Sequence, residues 1–343
     1  MDITNSRVVV TGGAGFIGSH LVDKLLARNN EVIVIDNFST GSYRNLEDHN
    51  TNPLLHVVVA DIREEAEILK AIKGSDFVFH LACQNVRLSL RQPTIVHEVN
   101  ATGTLNILKA SVAAKVKRFL YCSSSEVNGT ARIVPMPEEY HYRPETIYGA
   151  SKLTGEYYTQ VFHRAGWIPA VIARPHNNYG PREHYEGDKG EVIPRFILWV
   201  LSGKPPMIYG DGTQTRDFTY VTETADFMVR LLECDEALGE TYNICRGEEV
   251  SILRIAELIS ELIGLDKPPL RLKGRPSDVL RLYGDATKLD RTLGAIPQIS
   301  IRDGLKKTIA WFREYVTIDE TVFATMQNES WKSVPPEFFL EGL

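Results

Sequence analysis

Cysteine is scarce in this chain. The four among its 343 residues, Cys83, Cys122, Cys234 and Cys245, show no paired spacing of the kind that builds a zinc site, and no metal is expected. They read as buried free thiols of a reducing compartment, with Cys83 and Cys122 in apolar, strand-like runs. No uninterrupted apolar stretch approaches membrane-spanning length, and the N-terminus lacks a basic region followed by an apolar one. The expectation is a cytoplasmic protein with no membrane partner. Positive charge is in deficit too: 38 Lys and Arg stand against 44 Asp and Glu, for a net charge of −6 and a pI near 5.9. Nothing here recommends a nucleic-acid partner, so a polyanionic ligand must be held by local arginines. Internal repeats and low-complexity tracts are absent as well. With 43% hydrophobic and 24% charged residues, the chain can bury a sizeable core without staples.

What is present begins with Val8-Val9-Val10-Thr11-Gly12-Gly13-Ala14-Gly15-Phe16-Ile17-Gly18, a β-branched strand running into a glycine turn. Asp36 follows twenty-four residues after Gly12, at the end of a second apolar run, Glu31 to Ile35. Strand, turn, helix, strand and terminal carboxylate together make a dinucleotide site. Gly12 permits the tight turn, Gly15 lets backbone N–H groups approach a pyrophosphate, and Gly18 lets the helix pack closely on the sheet. Asp36 suits a ribose diol and would repel a 2′-phosphate, so NAD is expected rather than NADP. Phe16, Ile17, Asn37, Asp61, Ile62, Leu81 and Ala82 complete the candidate cofactor contacts.

Strand-like runs recur at Arg7 to Thr11, Glu31 to Asp36, Leu55 to Ala60, Phe77 to Ala82, Arg118 to Ser123 and Ala170 to Ala173, with helix-patterned segments between most of them. That alternation predicts an α/β fold, a Rossmann-type doubly wound parallel sheet covered on both faces. Residues 1–178 form the expected NAD-binding domain. Residues 179–315 read mostly as a smaller, irregular α/β substrate domain, with helices near Thr222 to Leu232 and Ile252 to Ile263. Part of it, about 213–247 and including Glu240 to Ile244, is expected to return to the sheet. Residues 316–343 are a tail with Phe323, Trp331, Phe338 and Phe339 at no steady period, fit for packing or for contact.

Tyr148 and Lys152 lie four apart at the start of a helix-patterned segment, which puts phenol and ammonium on one face. A nearby cation, together with the positive nicotinamide of NAD, favours phenolate and makes Tyr148 a usable base. The glycine motif, Asp36, His80-Leu81-Ala82, Ser123-Ser124-Ser125-Glu126-Val127, Tyr148 with Lys152, and Arg174-Pro175-His176-Asn177 resemble the extended short-chain dehydrogenase/reductases that modify nucleotide sugars. The resemblance covers roughly residues 7 to 315. It implies a nucleotide-sugar substrate, a UDP-sugar favoured, a homodimer formed through a helix bundle, and a catalytic triad of Ser124, Tyr148 and Lys152. It also implies diphosphate contacts from Asn177, Arg216 and Arg275, arginine being suited to bidentate phosphate binding.

Members of such a family are expected to oxidise C4 of the sugar and then diverge. Dehydratases commonly show Thr-Asp-Glu where this chain has Ser124-Ser125-Glu126, so the C5 base Glu126 is kept and the usual acid is replaced by Ser125. The leading expectation is 4,6-dehydration to a 4-keto-6-deoxy sugar; 4-epimerisation, glucuronate decarboxylation and binding without turnover remain alternatives. Asn128 stands where the family usually has Tyr. Gln84-Asn85-Val86-Arg87 resembles glucuronate-using epimerases, a resemblance that implies Arg87 for a C6 carboxylate, with hexose substrates favoured instead if Arg87 faces a phosphate or solvent; Gln84 is a further candidate substrate contact. The loop from His184 to Glu191 either closes over the sugar or is a solvated connection.

Overall fold

Runs of Val, Ile and Phe with no alternating polar partner form strands that are buried on both faces. The computed structural model describes residues 1–187, 190–273 and 280–325. Seven strands build one sheet: β1 (Arg7–Thr11), β2 (Glu31–Asp36), β3 (Leu55–Val59), β4 (Phe77–His80), β5 (Arg118–Cys122), β6 (Ala170–Pro175) and β7 (Thr241–Ile244), all largely buried but the half-exposed edge strand β3. Their order is β7-β6-β5-β4-β1-β2-β3 and every pair is parallel. From β3 inward this is the doubly wound order, with its crevice between β1 and β4 where the winding reverses.

The covering helices are α1 (Phe16–Leu26), α2 (Glu65–Ile72), α3 (Thr104–Ala113), α4 (Ile147–Arg164), α5 (Val192–Leu201), α6 (Val221–Glu233), α7 (Ile252–Ile263) and α8 (Ile301–Tyr315). Alternate strand residues serve opposite faces. Val8, Val10, Val32, Val34, Phe77 and Phe79 pack with Leu21 and Leu25 of α1 and with Phe227 and Met228 of α6. Val9, Ile33, Ile35, Val78 and Phe119 pack instead with Ile72 of α2, Ile107 of α3 and Phe162 of α4. A separate core joins α5, α7 and α8 through Ile193, Ile197, Ile255, Ile259, Leu305 and Phe312. Each is an apolar helix stripe that has found a partner.

The return to the sheet is substantial. α6 lies against α1, and β7 extends the sheet beyond β6 with Tyr242 opposite Ala173. Arg216 is carried by a short strand, Thr215–Arg216, held between Val250–Ser251 and Arg281–Leu282.

Several strand ends differ from the apolar runs. β4 stops at His80 and β5 at Cys122, where the chain enters the cleft wall: Leu81 N and Ser123 N each make one more backbone bond to the neighbouring strand, and the Leu81 and Ala82 N–H groups reach Thr11 Oγ1, each at 3.2 Å. β3 ends at Val59, one residue early, whereas β6 continues to Pro175. All four cysteines are free, but only Cys122 and Cys245 are buried. The expectation of full burial is corrected at Cys83, which opens onto the cleft, and at Cys234, which ends α6 at the surface. Of the tail, Phe323 packs on Trp199 with ring centroids 5.0 Å apart; Trp331, Phe338 and Phe339 lie outside the described residues.

Candidate active site

The C-terminal ends of the parallel strands open into a cleft of about 640 Å³. Its first end is built by the glycine turn. Gly12 has φ +69°, and a Cβ there would stand 2.7 Å from the Ala82 nitrogen; at Gly18 a Cβ would overlap the Gly12 carbonyl oxygen. The two glycines therefore allow turn, helix and β4 to meet closely. Gly15 stands at the start of α1 with no side chain to block its free N–H groups. Asp36 ends β2 with its carboxylate accepting from Ala14 N at 3.0 Å and Phe38 N at 2.9 Å, and burial pushes that carboxyl up. Asn37 Nδ2 donates to Asp61 at 2.9 Å, and Phe16, Ile17, Ile62, Leu81 and Ala82 complete the walls. A bare helix N-terminus, a turn without side chains and a carboxylate at the strand end fit an adenine dinucleotide.

Beneath the turn lies a buried chain of hydroxyl and imidazole. Thr11 Oγ1 is 2.7 Å from His80 Nδ1, and His80 Nε2 is 2.9 Å from Thr104 Oγ1. Burial, aided by the Lys152 charge, lowers His80 to about 3, so the ring is neutral.

The middle of the cleft belongs to α4. Thr146 caps it, its Oγ1 accepting from Gly149 N at 3.0 Å, which sets the first turn where Tyr148 and Lys152 share a face. Lys152 is buried, donates to the Cys122 carbonyl, and sits 4.8 Å above the Tyr121 ring. Tyr148 and Ser124 line the cleft together. Burial dominates the phenol and holds it above its ordinary value, while Lys152 and Ser124 pull it down. In the protein alone desolvation outweighs the one ammonium; the expectation of phenolate also rests on the positive nicotinamide of NAD.

Ser124 Oγ accepts from Glu126 N at 3.2 Å, in the short turn that carries Ser125 and Glu126. Ser125 is buried. Glu126 lines the cleft, its carboxyl pushed up by burial and by Glu145 and Glu191, with Arg216 opposing. Asn128 is buried behind this turn, and its Nδ2 has no hydrogen-bond partner among the described residues.

Gln84, Arg87, Asn177 and Arg216 line the remaining wall. The Gln84 side chain donates to Ser39 at 3.0 Å. Arg87 forms a two-pronged ion pair with Glu191, at 3.0 and 3.1 Å. Asn177 Oδ1 is buried without a partner among the described residues, and Arg216 donates to the Thr215 carbonyl at 2.8 Å. Trp199, Tyr209, Phe218 and Ile252 close the far end. Arg275 lies outside the described residues, as do residues 188 and 189 of the loop.

Sequence reasoning missed Thr11 and His80, Glu191, and the buried partners Glu156 and Arg174. Two of these carried a signal, since Arg174 interrupts the apolar run of β6 and His80 that of β4. A charge or imidazole in a strand buried on both faces must have a partner.

Residues 8–245 match the NAD dependent epimerase/dehydratase family. A putative UDP-glucose 4-epimerase of Methanocaldococcus jannaschii is 37% identical over 89% of this chain and 98% of its own. UDP-glucuronic acid decarboxylase 2 of Arabidopsis thaliana is 37% identical over 92% of this chain and 70% of its own. Among solved structures, dTDP-glucose 4,6-dehydratase of Streptomyces venezuelae with NAD bound superposes with a TM-score of 0.85, at 32% identity over 92% of this chain and 99% of that one. The chain therefore belongs to the NAD dependent epimerase/dehydratase family, as an extended short-chain dehydrogenase/reductase acting on nucleotide sugars with NAD as its cofactor.

Proposed function

We propose that the protein removes water across C5 and C6 of a nucleotide hexose, a UDP-hexose favoured, to give a 4-keto-6-deoxy sugar. The observation that carries this reading is Glu126, a desolvated carboxylate on the cleft wall two residues beyond Ser124. A carboxyl held above its usual range is a stronger base than an exposed carboxylate.

The glycine turn with Gly12, Gly15 and Gly18, and Asp36 with Asn37, Asp61 and Ile62, would hold the cofactor. NAD, when bound, would supply the acceptor for the C4 hydride and its donor to C6, and a positive ring that adds to Lys152 in favouring phenolate. Tyr148 accepts the C4 hydroxyl proton while Ser124 orients that hydroxyl. The resulting 4-keto group acidifies C5. Glu126 takes the C5 proton and passes it to the departing C6 hydroxyl, a route suited to a site with Ser125 in place of an acid. One water leaves, and the C4 hydroxyl proton and hydride finish on C5 and C6. Asn177 and Arg216 are placed for the diphosphate, with Arg275 a further candidate.

The named relatives supply the second reading, 4-epimerisation, which needs no base at C5. Mass spectrometry after incubation with UDP-glucose, UDP-N-acetylglucosamine and UDP-glucuronate separates them. Loss of water that disappears in Glu126→Gln supports dehydration; an isomer of unchanged mass means epimerisation, and loss of carbon dioxide means decarboxylation.

A homodimer is proposed through α4, whose Tyr157 and Val161 are exposed one turn apart, with Ile95 exposed on the chain before α3. The four free thiols suit a reducing compartment such as the cytoplasm. No helix among the described residues is long and apolar enough to cross a membrane.

A further inference from the structure

Arg87 and Glu191 are 104 positions apart in the chain and meet on the wall of the cleft. Arg87 comes from the short helix Val86–Ser89 that follows β4, on the cofactor side. Glu191 stands at the N-cap of α5, on the substrate side. Its backbone is fixed, with Glu191 N donating to the His184 carbonyl at 2.9 Å and its own carbonyl accepting from Arg195 N at 3.3 Å. The side chain is 46% exposed and Arg87 is 18% exposed, so the pair borders the cavity rather than lying sealed beneath it.

Arg87, Glu191 and Glu126 all line the one cleft, and the Glu191 charge helps hold the Glu126 carboxyl up. In turn, Arg87 holds Glu191 below the usual carboxylate range. A sugar carrying a C6 carboxylate would enter beside Glu126 and find Arg87 already neutralised in both prongs of its fork. Displacing Glu191 would break both of its charge-assisted hydrogen bonds to Arg87 and bring the ligand's carboxylate onto a wall that already carries Glu126 and Glu191. A neutral C6 hydroxymethyl group has no such conflict.

We propose that Glu191 is a specificity residue: by occupying Arg87 it makes the site select sugars with an uncharged C6 and reject uronates. The proposal rests on the neutral-hexose reading above, yet it concerns binding alone. The same guanidinium without Glu191 would be a carboxylate receptor, since a planar fork matches a carboxylate in two hydrogen bonds. One anion at the N-cap of α5 thus separates two substrate classes on a common scaffold.

The test is the dissociation constant of UDP-glucose and of UDP-glucuronate for the NAD-loaded protein, by calorimetry, in wild type, Glu191→Gln and Arg87→Gln/Glu191→Gln. Wild type is expected to favour UDP-glucose. Glu191→Gln shifts the ratio toward UDP-glucuronate by about tenfold or more, the scale of one charge-assisted pair. The double variant loses that shift. Should wild type already prefer UDP-glucuronate, or should Glu191→Gln alter both ligands alike, the proposal is overturned. Arg87→Gln alone guards against misfolding of the Glu191 variant: it is expected to gain no preference for UDP-glucuronate, and a shift of the ratio toward UDP-glucuronate in it counts against the idea. If the ratio shifts as expected while the product of a UDP-hexose is an epimer, only the dehydration reading fails. If water is lost but the ratio stays fixed, only this inference fails.

Discussion

Arg174 and Glu156 form a fully buried two-pronged ion pair, Nε to Oε1 at 2.7 Å and Nη2 to Oε2 at 2.6 Å, one helical turn beyond the active-site lysine. Glu156 also accepts from Ser123, while Arg174 donates to the Glu138 carbonyl at 2.8 Å and to the Tyr142 hydroxyl at 2.9 Å. Every arm of the guanidinium that an ion pair leaves over is thus used, as burial demands. The pair ties β6 to α4 and so fixes the register of the helix that presents Tyr148 and Lys152. Removing one partner strands the other. Glu156→Gln and Arg174→Met should each lower stability by about 3–5 kcal/mol. The double variant Glu156→Met/Arg174→Met should lose less than the sum, as chemical denaturation of all three will show.

Tyr148→Phe should cut turnover by about a hundredfold or more while nucleotide-sugar binding persists. Since the base form is the phenolate and burial holds the phenol high, the rate of cofactor reduction in wild type should rise with pH on its acid limb. Lys152→Met removes the cation that lowers the phenol, so the limb should move to higher pH. The absorbance of reduced cofactor after mixing with sugar, followed across pH, is the measurement. An unmoved limb in Lys152→Met would remove the lysine from this role.

Three buried histidines make the fold acid-sensitive. Burial is the largest cause for each, lowering His80 to about 3, and His20 and His176 to about 4. Their folded values lie below the unfolded 6.5, so the unfolded chain binds more protons in between. Stability is complete above about 6.5 and declines as pH falls toward 4 and then 3, by up to ~1.4 kcal/mol per unit for each ring. His80→Gln should unfold less steeply with acid than wild type, whatever its stability at neutral pH. Urea midpoints from pH 7 to pH 4 give the comparison.

Asp36 should enforce NAD. Its carboxylate is held by two backbone N–H groups at the end of β2, where a 2′-phosphate would meet it. Wild type should bind NADH far more tightly than NADPH, and Asp36→Ala should narrow that gap by about tenfold or more, chiefly by weakening NADH. Fluorescence titration of both reduced cofactors decides it.

The cofactor end was legible because its parts are close in the chain: Gly12, Gly15, Gly18 and Asp36 all fall within one strand-helix-strand unit, and strand periodicity located β1 and β2 to the residue. Tyr148 and Lys152 were legible for the same reason, being one helical turn apart. What escaped depends on distant segments meeting. Nothing local to Glu191 says that it faces Arg87, and the Thr11–His80–Thr104 chain joins three elements. For Tyr148, helix spacing gives the cationic neighbour and says nothing of the desolvation that opposes it. The ends of β4 and β5 were overrun because Leu81, Ala82 and Ser123 are as apolar or small as the strands before them, and Leu81 and Ser123 each still bond to the neighbouring strand.

The placement of β7 at the edge beside β6, with α6 against α1, bears on how the chain is made. When residues up to Pro175 have emerged from a ribosome, β6 still presents a bare edge and the face above α1 is uncovered. Both wait for Val221 to Ile244, several seconds of elongation later at ordinary rates. During that interval an apolar strand edge is open to any other extended chain nearby, so the nascent protein passes through its most aggregation-prone moment just before its last sheet strand is translated.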